Sequence, residues 1–267
     1  MFLVGPIMSL KICILSSGSS GNALFIESEK TKILIDAGLN AKQISLRLSS
    51  IGININDINA ICLSHEHGDH TQAINILQKK HKIPIYLNYL TKEALIKNDK
   101  FKDLHYKIFE SGTTFVIGDL SIETFLVPHD AAEPVGFKIT NKNKSIGIIT
   151  DVGIPTPLIM EKLKNCNLLV IEANYDNDLL IDAQRPFKLK QRIRGNLGHL
   201  SNIDSSKIIT ACHHKNLKRV ILAHLSSDCN TPRIASDTIR SQLILENIDN
   251  LEINVSLSSK PTSVFDV

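Results

Sequence analysis

An α/β fold in a single domain is what this sequence predicts, on three observations. Short apolar runs with strand character alternate with stretches of helical spacing along most of the chain. The polar residues with chemical potential stand where those apolar runs stop, which is where α/β folds gather ligands from distant sequence. At 267 residues with 43% hydrophobic content, the chain is long enough for one large core and ordinary for a globular protein.

Taken in order, Lys11 to Leu15 reads as a strand that ends in Ser16-Ser17-Gly18-Ser19-Ser20-Gly21-Asn22. Small residues there either let an anion approach backbone N–H groups or make an ordinary turn. Ala23 to Glu27 and Lys32 to Asp36 read as two more strands, and Ala41 to Ile51 as a helix. Ala60 to Leu63 is a short buried-strand signal, and Thr71 to Lys80 a helix. Pro84 to Leu87 is strand-like, Thr91 to Ile96 a short helix, and Thr114 to Val127 two strands broken at Gly118-Asp119. Ile146 to Thr150, Asn167 to Ile171 and Arg219 to Ala223 are further buried strands, and Leu251 to Leu257 reads as a closing strand.

The chemistry concentrates after Leu63, where Ser-His-Glu-His-Gly-Asp-His places His65, His67, Asp69 and His70 within six positions. Imidazole and carboxylate suit zinc and similar divalent ions, and a strand end holds them while leaving coordination positions open. Residues two apart on an extended backbone point the same way, so His65 and His67 can share one ion. Asp69 and His70 follow Gly68, where the chain can turn and aim them at a second.

His-x-His-x-Asp-His after an apolar strand resembles the metallo-β-lactamase superfamily, which implies a four-layer αββα sandwich with one or two metals at its edge. The resemblance extends in order through Val-Pro-His129-Asp, Thr-Asp151-Val-Gly and Ala-His224-Leu-Ser. It implies that His129 joins His65 and His67 on one ion, that His224 joins Asp69 and His70 on the other, and that Asp151 bridges them. Asp36 stands where the superfamily carries an acidic residue bracing the metal loop. Glu172-Ala-Asn-Tyr-Asp and Gly-His199-Leu-Ser-Asn resemble the Glu and His that the transfer-RNA 3′-processing branch uses near the scissile phosphate. On this reading Glu172 holds His199, His199 assists at the phosphate, and Asp69 orients the nucleophile. Read without the resemblance, His199 could also be a helix cap or a buried polar residue.

Between them Arg185, Lys188, Lys190, Arg192 and Arg194 give five basic residues in ten positions with no acid. Such a run attracts a phosphate backbone or forms a solvated helix face. With the Ser-Ser-Gly-Ser-Ser-Gly-Asn loop and Glu133-Pro-Val-Gly-Phe, these motifs are similar to a bacterial subfamily, the WalJ/YycJ type, regarded as 5′ to 3′ DNA exonucleases or related phosphodiesterases. The resemblance spans about Ser9 to Arg233, and one departure, Cys229, lies outside the ligands.

The expectation is therefore a two-metal nuclease, with zinc or manganese, using a metal-bound hydroxide at phosphorus and acting on DNA in preference to RNA. The alternatives are a small-molecule thioester or lactone hydrolase on the same metals, which leaves the basic run and the Glu172/His199 pair unexplained, and a non-catalytic nucleic-acid-binding scaffold.

The remaining features set bounds. A formal charge of +3 fits a polyanionic substrate but falls short of a strongly basic profile. Cys13, Cys62, Cys166, Cys212 and Cys229 form no CxxC pair, as expected of reduced thiols in a cytoplasmic protein. Met1 to Leu10 is apolar but interrupted by Pro6 and closed by Lys11, so neither a secretion signal nor a membrane span is expected. Residues 1–8 are expected to be an extension, Met8 being a second possible start, and 9–267 the hydrolase domain. His81, His105, His213 and His214 belong to no motif and are expected to be surface or structural.

Overall fold

Alternating side chains are what build the core. In the computed structural model, which describes residues 10–267, Ile12 and Ile14 of the first strand turn one way and Cys13 and Leu15 the other, and all four are buried. A strand buried on both faces reads as a continuous apolar run, as this one does. The expected extension at 1–8 and the choice between Met1 and Met8 lie outside the described residues.

The first half of the chain forms β1 (Lys11–Ser16), β2 (Ala23–Glu27), β3 (Lys32–Ile35), α1 (Ala41–Ser50), β4 (Ala60–Cys62), α2 (Gly68–Thr71), α3 (Ile74–His81), β5 (Ile85–Leu87), α4 (Tyr89–Leu95) and β6 (Tyr106–Ile108). The second forms β7 (Thr114–Ile117), β8 (Leu120–Leu126), β9 (Val135–Asn141), β10 (Lys144–Ile149), α5 (Pro157–Leu163), β11 (Leu168–Glu172), α6 (Asn177–Asp182), α7 (Phe187–Arg194), α8 (Asn202–Cys212), β12 (Arg219–Ala223), α9 (Pro232–Leu245), β13 (Glu252–Val255) and β14 (Phe265–Asp266).

Two mixed sheets of seven strands result, in the orders β14-β1-β2-β3-β4-β5-β6 and β13-β12-β11-β10-β9-β8-β7. Between them lies one apolar layer, to which Ile12, Ile26 and Ile33 contribute from the first sheet and Ile122, Phe137 and Val170 from the second. The outer face of the first sheet packs Leu34, Ile61 and Ile85 against Ile44 and Leu48 of α1 and Ile74 and Leu77 of α3. On the second, Leu169, Ile171 and Leu222 meet Ile159 of α5, Ile208 of α8 and Ile239 of α9. The layers run helix, sheet, sheet, helix, the predicted four-layer αββα sandwich. Among the described residues no helix is long and apolar enough to cross a membrane.

In each sheet a parallel block carries the motifs: β3 to β6 in one, β10 to β13 in the other. Parallel strands share one carboxyl end, so the segments after β3, β4, β10, β11 and β12 emerge on one rim.

Three details depart from the sequence reading. The helix expected over Thr71 to Lys80 is α3, from Ile74, and a separate short helix, α2, begins at Gly68, so Asp69 and His70 occupy a helical turn, and Gly68 is not among the positive-φ glycines. The reason is local: Thr71 Oγ1 donates to the His67 carbonyl at 3.0 Å, which starts the turn early. His129 stands three residues beyond the end of β8 at Leu126, on a loop. The strand expected at Leu251 to Leu257 is β13, an edge of the second sheet, whereas the chain's last strand is β14, pairing with β1.

Candidate metal centre

Strand ends from both sheets converge on the predicted residues. Ring nitrogens of His65, His67 and His129 lie within 4.8 Å of one another, and so do ligand atoms of Asp69, His70 and His224. Asp151 stands between the two groups: its Oδ2 is 3.1 Å from His70 Nε2, and its Oδ1 is 3.6 Å from His224 Nε2 and 3.8 Å from His129 Nε2.

The backbone is distorted to achieve this. Asp36 and His224, each immediately after a strand, and Asp151, two residues beyond the end of β10, take positive φ of 61°, 54° and 58°. Side chains with a Cβ rarely adopt that region, and such strain gathers where function over-determines geometry. Gly38 is a second adaptation, because a Cβ there would lie 1.6 Å from the Asp69 carbonyl oxygen. The chain crosses itself at this point, with Asn22 N–H donating to Asp69 O at 2.8 Å and Ala37 N–H to His70 O at 2.8 Å.

A hydrogen-bond network fixes each imidazole. Ser64 Oγ gives its proton to Asp36 Oδ2 at 2.8 Å and so accepts from His65 Nδ1 at 2.9 Å. His70 Nδ1 donates to the same Asp36 oxygen at 2.8 Å, His129 Nδ1 to the Gly198 carbonyl at 3.1 Å, and His224 Nδ1 to Glu172 Oε1 at 3.0 Å. Four rings thus carry their proton on Nδ1 and present Nε2, the arrangement that outer partners impose on metal-binding histidines.

The donor set fits divalent cations on two observations of its own. Asp151 Oδ2 and His224 Nε2 are buried without a hydrogen bond, an arrangement that ordinarily needs an ion or water to compensate. His65 Nε2 faces His67 Nδ1 at 3.1 Å, two basic nitrogens aimed at each other.

The electrostatics divide the cluster. Burial, reinforced by His70, pushes His65 well below the ordinary imidazole range and keeps it neutral. Burial opposes a charge on His224 too, but Asp151, Asp69 and Glu172 outweigh it and raise the ring to about 10. His70 is likewise driven well up against burial by Asp36 and Asp151. Burial disfavours the ionised carboxyls of Asp69 and Asp151 as well, and the surrounding histidines hold both well below the carboxylate range. Carboxylates that keep protons on buried rings would hold a metal cation in the same place, since a ligand must give up its proton to bind.

Glu172 and His199 form a further pair beside this cluster. Glu172 is fully buried, and Oε1 accepts from His199 Nδ1 at 2.7 Å as well as from His224. Its Oε2 accepts from the Val152 N–H at 2.8 Å and the Leu200 N–H at 3.3 Å. No face of Glu172 is left for a substrate, so its place is behind the two histidines. His199, 19% exposed, lies 3.7 Å from Asp151 Oδ1. Burial lowers its basicity, yet the Glu172 carboxylate, with Asp151 beyond it, prevails and raises it.

The basic run is split. Arg185 pairs with Asp228 through Nε and Nη2, and Arg192 Nε with Asp130 Oδ2 at 2.6 Å, neutralising two of the five cations. Lys188, Lys190 and Arg194 have no carboxylate partner among the described residues, and Lys190 Nζ donates to the Ile181 carbonyl.

The sequence reading passed over Asn22, whose Nδ2 lies 3.3 Å from Asp69 Oδ2 and 3.0 Å from His70 Nε2, and Asn174, whose Nδ2 donates to His224 O at 2.8 Å. Asn22 closes the Gly/Ser loop, and its place at that end was the available signal.

Residues 31–225 match the beta-lactamase superfamily domain, and the chain belongs to that superfamily. Within it, the chain is 37% identical over 240 residues to the exodeoxyribonuclease WalJ of Streptococcus pneumoniae, covering 88% of this chain and 89% of that protein. It is 35% identical over 246 residues to the exodeoxyribonuclease YycJ of Bacillus anthracis, covering 90% of each. Among solved structures, the metallo-beta-lactamase fold protein YhfI of Bacillus subtilis superposes with a TM-score of 0.74 at 18% identity, over 97% of this chain and 100% of that one.

Proposed function

We propose that the protein is a metal-dependent phosphodiesterase that degrades DNA from the 5′ end, with residues 9–267 as its hydrolase domain and 1–8 as an extension. The observation that carries the reading is the Glu172-fixed His199 beside Asp151, set against two ligand triads. Hydrolysis of a small thioester or lactone needs no cation at that position, whereas a phosphodiester carries a charge for it to meet. That the two relatives are named exodeoxyribonucleases supports DNA over RNA.

In this reading His65, His67 and His129 would hold one divalent ion, Asp69, His70 and His224 a second, with Asp151 between them. When bound, such a pair supplies Lewis-acid stabilisation at the phosphoryl group and acidifies water at neutral pH. A histidine-rich donor set suits zinc, and the carboxylates of Asp69 and Asp151 also suit manganese.

The chain's own groups do the rest. His199, protonated on Nδ1 towards Glu172, has Nε2 left to donate to a phosphate oxygen or to the departing 3′ oxygen, which leaves a 5′-phosphate on the product. Glu172 is a positioning residue that keeps this ring oriented and charged. Asp69, partly exposed on the site's open side, accepts from the attacking water and aligns it. Five cysteines, all free and buried, support a reducing cytoplasmic setting.

The test is cleavage of 5′-labelled and 3′-labelled DNA and RNA by metal-free protein resupplied with zinc or manganese. Metal-dependent release of mononucleotides from the 5′ end of DNA is expected. Absence of nucleic-acid cleavage with both metals bound, alongside turnover of a thioester or lactone, would transfer the site to small esters.

A further inference from the structure

Helix α7 presents a feature that hydrolysis at the metal cluster does not use. Phe187, at its first turn, is 73% exposed, and Ile181 of α6 beside it is 55% exposed. With Leu180 these side chains floor a groove of about 540 Å³, and its rim is formed by Lys190, Gln191 and Arg194. An exposed aromatic ring flanked by cations without carboxylate partners is an uncommon use of surface, because an isolated Phe gains nothing from water.

We propose that this groove is a strand-holding subsite in which a nucleobase of single-stranded DNA stacks on Phe187 while Lys190 and Arg194 take the adjoining phosphates. The proposal rests on the nuclease reading and deepens it. Complementarity argues for this occupant: the floor offers a π face and aliphatic edges to a base, and the rim offers only cations and an amide to the backbone. Every base has such a face, so stacking holds a strand without selecting sequence, as suits an exonuclease acting on any strand.

Position argues the same way. The far end of α7 is tied to the candidate centre, since Ile193 O accepts the His199 N–H at 2.9 Å and Arg192 pairs with Asp130, the neighbour of His129. Eight helical residues rise about 12 Å, so Phe187 stands roughly three stacked nucleotides from the anchored end. Substrates too short to span that distance would gain nothing from the groove.

The chain has no tryptophan, so Phe187→Trp places a single indole in the groove. The metal-loaded full-length variant would be titrated with a phosphorothioate oligothymidylate about a dozen nucleotides long, which resists cleavage. Saturable quenching of the indole is expected, and little with an abasic strand of the same length. Phe187→Ala should weaken oligothymidylate binding about 5- to 150-fold, the range that loss of one base–aromatic stack implies. Arg194→Gln should lower the salt dependence of binding by about one unit of slope.

Oligothymidylate binding without quenching would overturn the proposal, and so would a Phe187→Ala affinity within about twofold of wild type or an indole buried only by self-association of the protein. Hydrolysis of bis(p-nitrophenyl) phosphate by the wild-type protein separates the two claims. If the diester is hydrolysed and quenching fails, the groove assignment alone falls. If neither diester nor DNA is cleaved, the nuclease reading falls.

Discussion

Replacing Glu172 by glutamine removes one charge and changes no shape, yet four hydrogen bonds depend on that charge. Oε1 accepts from His199 and His224, and Oε2 from the N–H groups of Val152 and Leu200. Both oxygens act only as acceptors, whereas an amide has one acceptor and one donor group. In either orientation its NH2 therefore faces two N–H donors. Two bonds are lost and buried groups are left unsatisfied, at about 1–3 kcal/mol each, so the perturbation is roughly 2–6 kcal/mol, shared between stability and the site. If the amide oxygen keeps the backbone bonds, both rings lose their acceptor and His199 loses the carboxylate that raises it.

Loss of a positioned proton donor costs about 10²–10⁴-fold in rate, and loss of an outer partner of a metal ligand about 10–100-fold in metal affinity. At saturating zinc or manganese, Glu172→Gln is thus expected to lower kcat on a phosphodiester at least about 100-fold. A raised imidazole is the proton donor below its folded pKa and loses that role above it, so lowering the pKa moves the alkaline limb of the rate profile to lower pH. Steady-state rates across pH, with metal content measured in parallel, decide the matter. A variant with wild-type metal content, unchanged pH profile and kcat within about threefold would refute the reasoning, because it would show that His199 needs neither orientation nor charge from Glu172.

Gly38→Ala is expected to abolish activity and lower Tm, since its Cβ would meet backbone, the Asp69 carbonyl, which cannot swing aside; circular-dichroism melts and rates on one preparation would show it. Chelation should lower Tm, and zinc should restore it, by the stability that a ligand at 100 times its dissociation constant confers, about 2.7 kcal/mol. Calorimetry would register no difference if the cluster holds no metal. Asp119 accepts from Ser28 at 2.5 Å, Thr31 at 2.7 Å and Asn141 at 3.1 Å, and against partial burial these bonds depress its pKa. A depressed carboxyl stabilises the fold above its unfolded pKa, near 3.9, and loses that contribution as pH falls through the folded value. Asp119→Asn should therefore flatten the acid side of the stability profile measured by denaturant melts.

What could be read from the sequence were the features that sequence concentrates. His65, His67, Asp69 and His70 are neighbours in the chain, and His129, Asp151, Glu172 and His224 stand just beyond apolar runs whose length and composition mark strands. A β-strand buried on both faces announces itself, which is why the αββα frame was legible once the motif order was recognised. Hidden features depended on partners far away. The ion pairs Arg185–Asp228 and Arg192–Asp130 join residues more than forty positions apart, so the basic run looked more uniformly charged than the fold leaves it. Asn22 looked like a turn residue because its contacts, Asp69 and His70, lie across the sheet. Strand β14 has two residues and no periodicity to detect. Phe187 sat in a polar stretch where nothing local distinguishes a stacking platform from a buried anchor.

The central claim, that two triads joined by Asp151 form one phosphodiesterase centre, is tested most directly by counting metal. Metal-free protein would be titrated with zinc, and with manganese, while bound metal and hydrolysis of an oligodeoxynucleotide are followed together. The account predicts activity that rises until two ions are bound per chain, and an Asp151→Asn variant that stays inactive at every ratio. Full activity at one ion per chain, or in Asp151→Asn, would contradict it.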